Sequence, residues 1–459
     1  MIGSLLQPEL AELIRRREFN QLRQILAQFS PPDVAEILTD LSGDDKAVLL
    51  RILPQQLATQ VFEYLAVSDQ EQLVHALGNE QVARILNDLP PDDRTALLEE
   101  LPSAVTQKLL SLLTPEERKI AVDLLGYPPG SIGRRMTPEY VAIQQNWTVA
   151  EVLEHLRHEG AKRESLNQLY VVDDRGRLVD FVRLRNIVVS SLRTPVVEIL
   201  EHRNLALPAT DDQETAVNAF KKYDVTILPV VDSLGVLVGV VTVDDVLDVV
   251  EQEATEDIQK LGGMEALDAP YLKISLASMV RKRAGWLAVL FVGEMFTATA
   301  MGYFEDEIAK AVVLALFVPL IISSGGNSGS QATSLIIRAL AVRDITLRDW
   351  WRVMRREAVA GLALGCVLAT IALARILLWP SKEKVYGPHY LLVAATVASS
   401  LIGVVLFGSL AGSMLPFALR RLGFDPAAAS APFVATLVDV TGLVIYFTIA
   451  YQILHGTLL

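Results

Sequence analysis

Apolar positions along this chain follow three successive rhythms, each predicting a different kind of element. Up to about residue 125, Leu41-Ser-Gly-Asp-Asp, Leu65-Ala-Val-Ser-Asp, Leu89-Pro-Pro-Asp-Asp and Leu113-Thr-Pro-Glu-Glu open segments spaced 24 residues apart. Each reads as a helix start: a capping residue or Pro, acids in the first turn, then a periodic apolar run. Repeated short helices that share a core predict a stacked helical array. Between about 130 and 250 the rhythm becomes strand, Asp/Gly turn, strand, helix, and it occurs twice. LYVVDDRGRLVDFV from Leu169 returns as LPVVDSLGVLVGVV from Leu228, an offset of 59 that aligns Asp173 with Asp232 and Gly176 with Gly235. From Gly285 onward the chain is long apolar blocks, predicting spans at 285–303, 311–337, 358–379, 390–417 and 431–454. About 20 apolar residues suffice to cross ~30 Å of hydrocarbon.

The fold class expected is therefore multidomain: an all-α repeat domain, an α/β duplicated pair and an α-helical bundle of five transmembrane spans. The boundaries read as 1–128, 129–196, 197–249, a linking helix over 250–275, and a membrane domain over 276–459. Basic links fix the orientation. Arg338, Arg343, Arg348, Arg352, Arg355 and Arg356 lie between spans two and three, Arg420 and Arg421 between four and five, and Arg281 to Arg283 before span one. Basic links face the cytoplasm, which places the N-terminal domains inside and the C-terminus outside. The opening MIGSLLQPELAELIRRREF reads as an amphipathic helix, not a signal peptide.

The formal charge of −13 argues against nucleic acid, whose phosphates require Lys/Arg clusters. The single cysteine, Cys366, excludes a disulfide framework or multi-thiolate site within the chain. A His-Glu-x-x-His pattern is missing, so the membrane part does not read as a metalloprotease and the chain does not read as an enzyme.

Candidate chemistry lies where polarity breaks the apolar pattern. Asp439 sits in the middle of span five, where a carboxylate costs roughly 2.5–3.5 kcal/mol and is expected to face a bundle interior or a water-filled path. Span two carries the run IISSGGNSGSQATS, in which Gly326, Ser330 and Ser334 lie four apart and form a polar stripe beside Asn327 and Gln331. Small residues there also suit close helix packing. Glu294 in span one is expected to be a second buried acid, with Arg375 in span three placed to pair with it or to reach the surface. The linking pattern DVLDVVEQEATEDIQKL puts Asp245, Asp248, Glu253, Glu256 and Asp257 close along one helix. Like charges at that spacing repel by a few tenths of a kcal/mol per pair. Either water or bound divalent cations relieve them.

Two resemblances follow from these motifs. The duplicated unit resembles a tandem pair of CBS domains, which implies a regulatory sensor. Its second copy ends Gly239-Val-Val-Thr-Val-Asp-Asp, similar to the Ser/Thr-x-x-Asp that holds adenosine ribose, whereas the first copy lacks it. ATP is therefore admitted at the second copy only, on Thr242 and Asp245. The run G-G-N-x-G-x-Q with LIIRAL, then LPFALRRLGFDPAAASAPFVATLVDVTGLVIYF, resembles the MgtE family of magnesium channels across nearly the whole chain.

That resemblance implies a homodimer in a bacterial cytoplasmic (inner) membrane, with its pore on the two-fold axis and magnesium as both cargo and regulator. Asp439 would select the hydrated cation, with the Ala435 carbonyl, Gly442, Asn327, Ser330 and Ser334 lining the path. Ser330 and Ser334 stand where larger polar residues, Asn and Thr, are expected in the family pattern. Intracellular magnesium would close the pore by bridging Asp92, Asp93, Glu214, Asp224, Asp245, Asp248, Glu253, Glu256 and Asp257. A sodium- or proton-coupled exchanger on the same scaffold, with Glu294 serving the coupled step, is the competing expectation.

Overall fold

Ser42 and Thr114 open two of the repeat's helices by accepting hydrogen bonds from the backbone N–H groups of Asp45 and Glu117. Such caps satisfy donors that a helix start leaves unpaired. The computed structural model describes residues 9–10, 12–160, 163–202, 205–267, 271–272 and 274–458. Helix α1 (Phe19–Leu26) leads into α2 (Pro31–Thr39), α3 (Gly43–Ile52), α4 (Gln55–Glu63), α5 (Val67–Ala76), α6 (Asn79–Asp88), α7 (Pro91–Glu100), α8 (Ser103–Leu112) and α9 (Pro115–Leu125).

Each 24-residue repeat therefore holds two helices where the acidic starts alone indicated one. Helices α3, α5, α7 and α9 stack on one another, as do α2, α4, α6 and α8. Their leucines close into one core that includes Leu38, Leu49, Leu50, Leu73, Leu86 and Leu97.

The stack also contains a ladder of polar anchors. Lys46 donates to Asp69 at 2.7 Å, with side chains 5% and 0% exposed, and Arg94 donates to Glu117 at 2.5 Å with Arg94 fully buried. Arg94 also caps carbonyls at the end of α6, Leu86 and Leu89. Arg118 does the same for Leu110, Ser111 and Leu113 at the end of α8.

The duplicated α/β unit folds as two three-stranded sheets. The first orders β1 (Ala142–Gln144), β2 (Gln168–Val172) and β3 (Leu178–Arg183); the second orders β4 (Leu207–Pro208), β5 (Ile227–Val231) and β6 (Leu237–Thr242). In each, the first pair is parallel and the second antiparallel, with a register shift at Val171/Val172 and again at Val230/Val231. Helices α10 (Val149–Glu159), α11 (Leu184–Val189) and α12 (Gln213–Tyr223) flank them. The aligned turn residues have matching jobs. Asp173 accepts from the N–H groups of Arg175 and Arg177, Asp232 from those of Leu234 and Val236. Gly176 and Gly235 take φ of 75° and 80°, the left-handed region that favours glycine. The turns then join the copies: Leu178 N–H donates to Gly235 O and Leu237 N–H to Gly176 O, both at 3.0 Å.

Helix α13 (Val243–Leu261) follows, shorter than the expected linking helix. Residues 262–267 are turn, bend and irregular chain, and 268–270 and 273 lie outside the described residues. By contact the chain divides into two units, 1–251 and 252–459, with α13 running across the division. In the second unit five helices are long and apolar enough to cross a membrane: α14 (Leu276–Tyr303), α15 (Val318–Ala341), α16 (Trp350–Leu377), α17 (Tyr390–Arg421) and α18 (Ala431–Leu454).

Glycine sets how closely these spans approach. A Cβ on Gly408 would lie 2.4 Å from Gly325 O, and one on Gly412 would lie 2.1 Å from Gly329 O. Small residues four apart on both helices thus let backbone touch backbone. Ser328 and Ser409 share a hydrogen bond at 2.7 Å, and Thr333 donates to Gly412 O at 2.8 Å, sealing the seam. Gly412→Ala should lower the thermal midpoint of the detergent-solubilised protein, by the equivalent of about 1–3 kcal/mol for overpacking. Gly285→Ala, where a Cβ meets nothing within 4 Å, should leave it unchanged. Equal midpoints for the two variants would show that α15 and α17 separate freely.

Candidate cation sites

Span two presents three faces. Gly325, Gly329 and Thr333 lie on α17; Gly326 and Ser330 lie on α18; Asn327 and Gln331 are exposed on the single chain. On the second face a Cβ at Gly326 would lie 3.6 Å from Asp439 Oδ1, so the half-buried carboxylate of span five points at a bare stretch of span-two backbone. Asp439 makes no hydrogen bond or ion pair among the described residues.

Ser330 donates to Ala431 O at 3.1 Å and Ser334 to Ser330 O at 2.9 Å, so their protons serve the backbone while the hydroxyl oxygens remain acceptors. Ala435 is half-buried beside Gly326, and Gly442 is buried against Val404. Asn327 donates to Ser323 at 3.4 Å.

Glu294 departs from expectation. It is exposed on the outside of the single chain because α14 packs mainly along α18, where a Cβ on Gly293 would meet Thr436 at 2.8 Å. Arg375 does not pair with it; the guanidinium lies 3.5 Å from the ring centre of Trp379.

A second set of carboxylates gathers in the cytosolic unit. Asp92 and Asp93 at the start of α7 lie within electrostatic reach of Asp245 of α13, and Glu63, Glu164 and Asp244 act on the same group. Burial foremost, then Glu63, Asp245, Glu164 and Asp244, pushes Asp93 up to about 8. Burial pushes Asp245 up to about 7, opposed by the hydrogen bond from Thr242 and aided by Asp244 and Glu164. Burial and Asp245 likewise hold Asp92 well above the usual carboxylate range. Among the described residues no three His, Cys, Asp or Glu side chains come close enough to form a ready-made metal cage. What the cluster supplies is hard oxygen ligands without a counter-charge, which suits a cation that keeps several of its waters.

The other acids expected to bind magnesium are more scattered, although Asp248 lies near Asp244. Asp248 is exposed near Arg135, and Glu253 is half-buried on α13. Glu214 opens α12 and Asp224 ends it in a left-handed cap at φ 51°, roughly 15 Å away at 1.5 Å per residue. Glu256 and Asp257 sit at the membrane unit instead. Lys260 pairs with Glu256 and, at 2.6 Å, with Asp425 in the link before span five. Burial opposes the Lys260 charge, but its hydrogen bonds to Asp425 and Glu256 outweigh it and raise its pKa. Asp257 is raised by burial and by Asp425. The sequence motifs did not single out Glu63, Glu164, Asp244 or Asp425. Asp244 lay inside the quoted run that ends at Asp245, and Asp425 inside LGFDPAAAS, whereas Glu63 and Glu164 lay in no quoted motif.

Known proteins match this arrangement from end to end. The divalent cation transporter family matches residues 318–449, the MgtE intracellular N domain 29–130, and the CBS domain 130–193 and 194–252. The magnesium transporter MgtE of Thermus thermophilus is 39% identical over 450 residues, covering 97% of this chain and 98% of the relative. This chain belongs to the MgtE family. The magnesium transporter MgtE of Bacillus subtilis is 30% identical over 97% of this chain and 96% of its own length. The cytosolic domain of the Mg2+ channel MgtE in complex with ATP is 36% identical, with a TM-score of 0.51 over 52% of this chain and 98% of that one. The soluble part of a magnesium transporter is 27% identical, with a TM-score of 0.50 over 55% and 99%. As an MgtE-family member the chain is a membrane transporter with cytosolic N-terminal domains and magnesium as its ion.

In this MgtE-family chain the two expectations placed on Asp245 meet in one side chain. Its Oδ2 accepts from Thr242 Oγ1 at 2.7 Å, and the same carboxylate lies in the acidic cluster. Between the CBS copies, Phe181, Leu205, Tyr223, Ile227 and Pro229 line an apolar cavity of about 330 Å³ with Gln168 at its edge.

The raised carboxylates make stability depend on pH. Unfolded, they titrate near 3.8; folded, Asp245 and Asp93 titrate near 7 and 8. Between those values the folded state holds more protons, so its stability falls as pH rises. In EDTA, the denaturant midpoint of the cytosolic unit within the full chain should drop between about pH 6 and pH 8, and Asp93→Asn should flatten the drop. A midpoint that rises over that interval would remove the cluster as the controlling charge.

Proposed function

We infer that the chain is a magnesium channel that works as a homodimer, with Asp439 selecting the ion and cytosolic magnesium closing the pore. The observation that carries this reading is the unpartnered Asp439 carboxylate facing Gly326 in mid-span. Magnesium dehydrates reluctantly and holds octahedral geometry, so a pore acid best meets its water shell. Ala435 would add its carbonyl and Gly442 would leave the wall open. Ser330 and Ser334 would accept from the ion's waters through their hydroxyl oxygens, with Asn327 on the open face. A second copy covering the exposed Asn327 and Gln331 would enclose that face. The chain would lie in a bacterial cytoplasmic membrane with its C-terminus outside.

Magnesium on the cytosolic side would neutralise Asp92, Asp93 and Asp245, with Asp248, Glu253, Glu256, Asp257, Glu214 and Asp224 as further contacts. Several weak sites with constants of roughly 10⁻⁴–10⁻³ M suit a sensor of this kind. The cavity beside Phe181 and Tyr223 suits the flat face of an adenine ring, and the ATP complex of the related cytosolic domain supports that use. Its phosphates would neighbour Thr242 and Asp245.

One observation favours a second reading. Glu294 lies within electrostatic reach of Asp439. In a coupled exchanger it would carry the sodium ion or proton. Currents that persist without a sodium or proton gradient decide for the channel.

Asp439→Ala should abolish magnesium-dependent growth rescue and patch-clamp current in cells lacking their own magnesium uptake, at unchanged membrane expression. Retained current would move the permeation path elsewhere. Asp245→Asn with Asp248→Asn should leave the channel conducting at magnesium levels that close the wild type, and undiminished inhibition would take both residues out of the sensor.

A further inference from the structure

The acids at 92 and 93 are ordinary members of the repeat. Positions 45, 69, 93 and 117 are Asp, Asp, Asp and Glu, and each opens an odd-numbered helix. In two of the three steps the following acid is neutralised from within. Lys46 reaches Asp69 and Arg94 reaches Glu117, each across 23 residues. The step between them breaks the rule.

Where Lys46 and Arg94 stand, the middle repeat has Gln70, 23 residues before Asp93. Gln70 keeps the capping half of the job: its amide donates to Phe62 O at 2.8 Å, as Arg94 does to Leu86 O at 3.0 Å, 24 residues later. It brings no charge, and no cation pairs with Asp93 among the described residues.

A second departure falls in the same step. Positions 39, 87 and 111 are Thr, Asn and Ser, each bonded to a nearby backbone carbonyl, while position 63 is Glu. The Glu63 carboxylate is half-buried and is the neighbouring charge that acts most strongly on Asp93. Relative to the rest of the ladder, the middle step has lost one positive charge and gained one negative charge.

We propose that Gln70 is the residue that keeps Asp93 open to a divalent cation, and that a Lys or Arg at position 70 takes the place of the ion. This rests on the sensor reading of the cluster. A side-chain cation anchored as Lys46 and Arg94 are would hold α5 against α7 and neutralise Asp93 permanently. A bound ion, unlike a side-chain cation, can be withdrawn, so Gln70 makes closure of this step responsive to magnesium.

The test is a double-mutant cycle between positions 70 and 93, read by limited proteolysis of the purified full chain across a MgCl2 titration. Such a cycle isolates the pairing from the effect of each single change. In EDTA, Gln70→Lys should slow cleavage within residues 19–125 roughly tenfold, a coupling of ordinary size, and the further protection from MgCl2 should shrink. Gln70→Arg should act alike, which guards against a lysine that fails to fit. In the Asp93→Asn background the gain should vanish. If Gln70→Lys and Gln70→Arg protect nothing, or protect equally without Asp93, the proposal is overturned. If Asp93→Asn alone leaves magnesium protection intact while Gln70→Lys still protects through Asp93, the pairing stands and the sensor reading of this cluster fails.

Discussion

A carboxylate removed from water without a counter-charge is the constraint around which both units are organised. Burying an ion costs several kcal/mol even after relaxation, and excellent geometry with a partner is needed to recover it. The repeat domain shows the ordinary solution twice, in Lys46 with Asp69 and Arg94 with Glu117. Among the described residues, Asp92, Asp93 and Asp245 share one neighbourhood without that solution, and Asp439 has no ion pair or hydrogen bond in mid-span. A protein that binds a hard divalent cation reversibly has to leave such groups unpaired. The permanently satisfied rungs of the same ladder keep the fold from losing stability everywhere at once.

The polar run of span two resolves once its residues are sorted by face. Gly325, Gly329 and Thr333 belong to a backbone contact with α17, where any side chain would collide. Gly326 and Ser330 turn toward α18, leaving space in front of Asp439 and tying Ser330 to Ala431. Asn327 and Gln331 occupy the remaining, open side. One run thus combines a packing seam, a wall beside the acid and a hydrophilic surface. The small-residue packing lies on the α17 face, and the polar stripe on a different face of the same helix.

Regular features were legible because regularity survives in sequence. The 24-residue spacing, the 59-residue offset with its Asp/Gly turns, and five apolar blocks gave the domain order; spans one, three and four are longer as helices than as apolar runs, span five keeps its bounds, and the span-two helix begins later, at Val318. Helices α2, α4, α6 and α8 leave a weaker trace because none has a side-chain cap bond, and α4 and α8 have no acid in the first turn, α2 and α6 only one each. Glu63 and Glu164 were missed for another reason. Each is an isolated acid brought to Asp93 from a distant segment, and pairwise approach has no one-dimensional trace. The signal that did exist was negative: Gln70 and Glu63 depart from the pattern that their repeat equivalents keep. Glu294 was read as buried because an acid in a span usually is, but α14 covers little of itself within one chain.

Where α13 meets the membrane unit, packing outweighs charge. The Lys260 pairs with Glu256 and Asp425 are 30–40% exposed, and pairs that open to solvent contribute little. Leu261 instead packs on Ile337, Ala427 and Ala429, which belong to span two and to the link before span five. Gly263 then takes a left-handed φ of 74° beneath Trp286, where a Cβ would lie 2.9 Å from the indole and 3.2 Å from Pro432. The same indole donates to Ser430 at 3.2 Å and stacks on Phe433. The end of the linking helix is therefore fixed to the first turn of span five by close contact. Asp439 lies eight residues into that span, about 12 Å at 1.5 Å per residue. Glu256, Asp257 and Asp425 gather at the same junction, two turns of helix before Asp439. At this junction the charged residues and the close packing that holds the start of span five are within a few residues of one another.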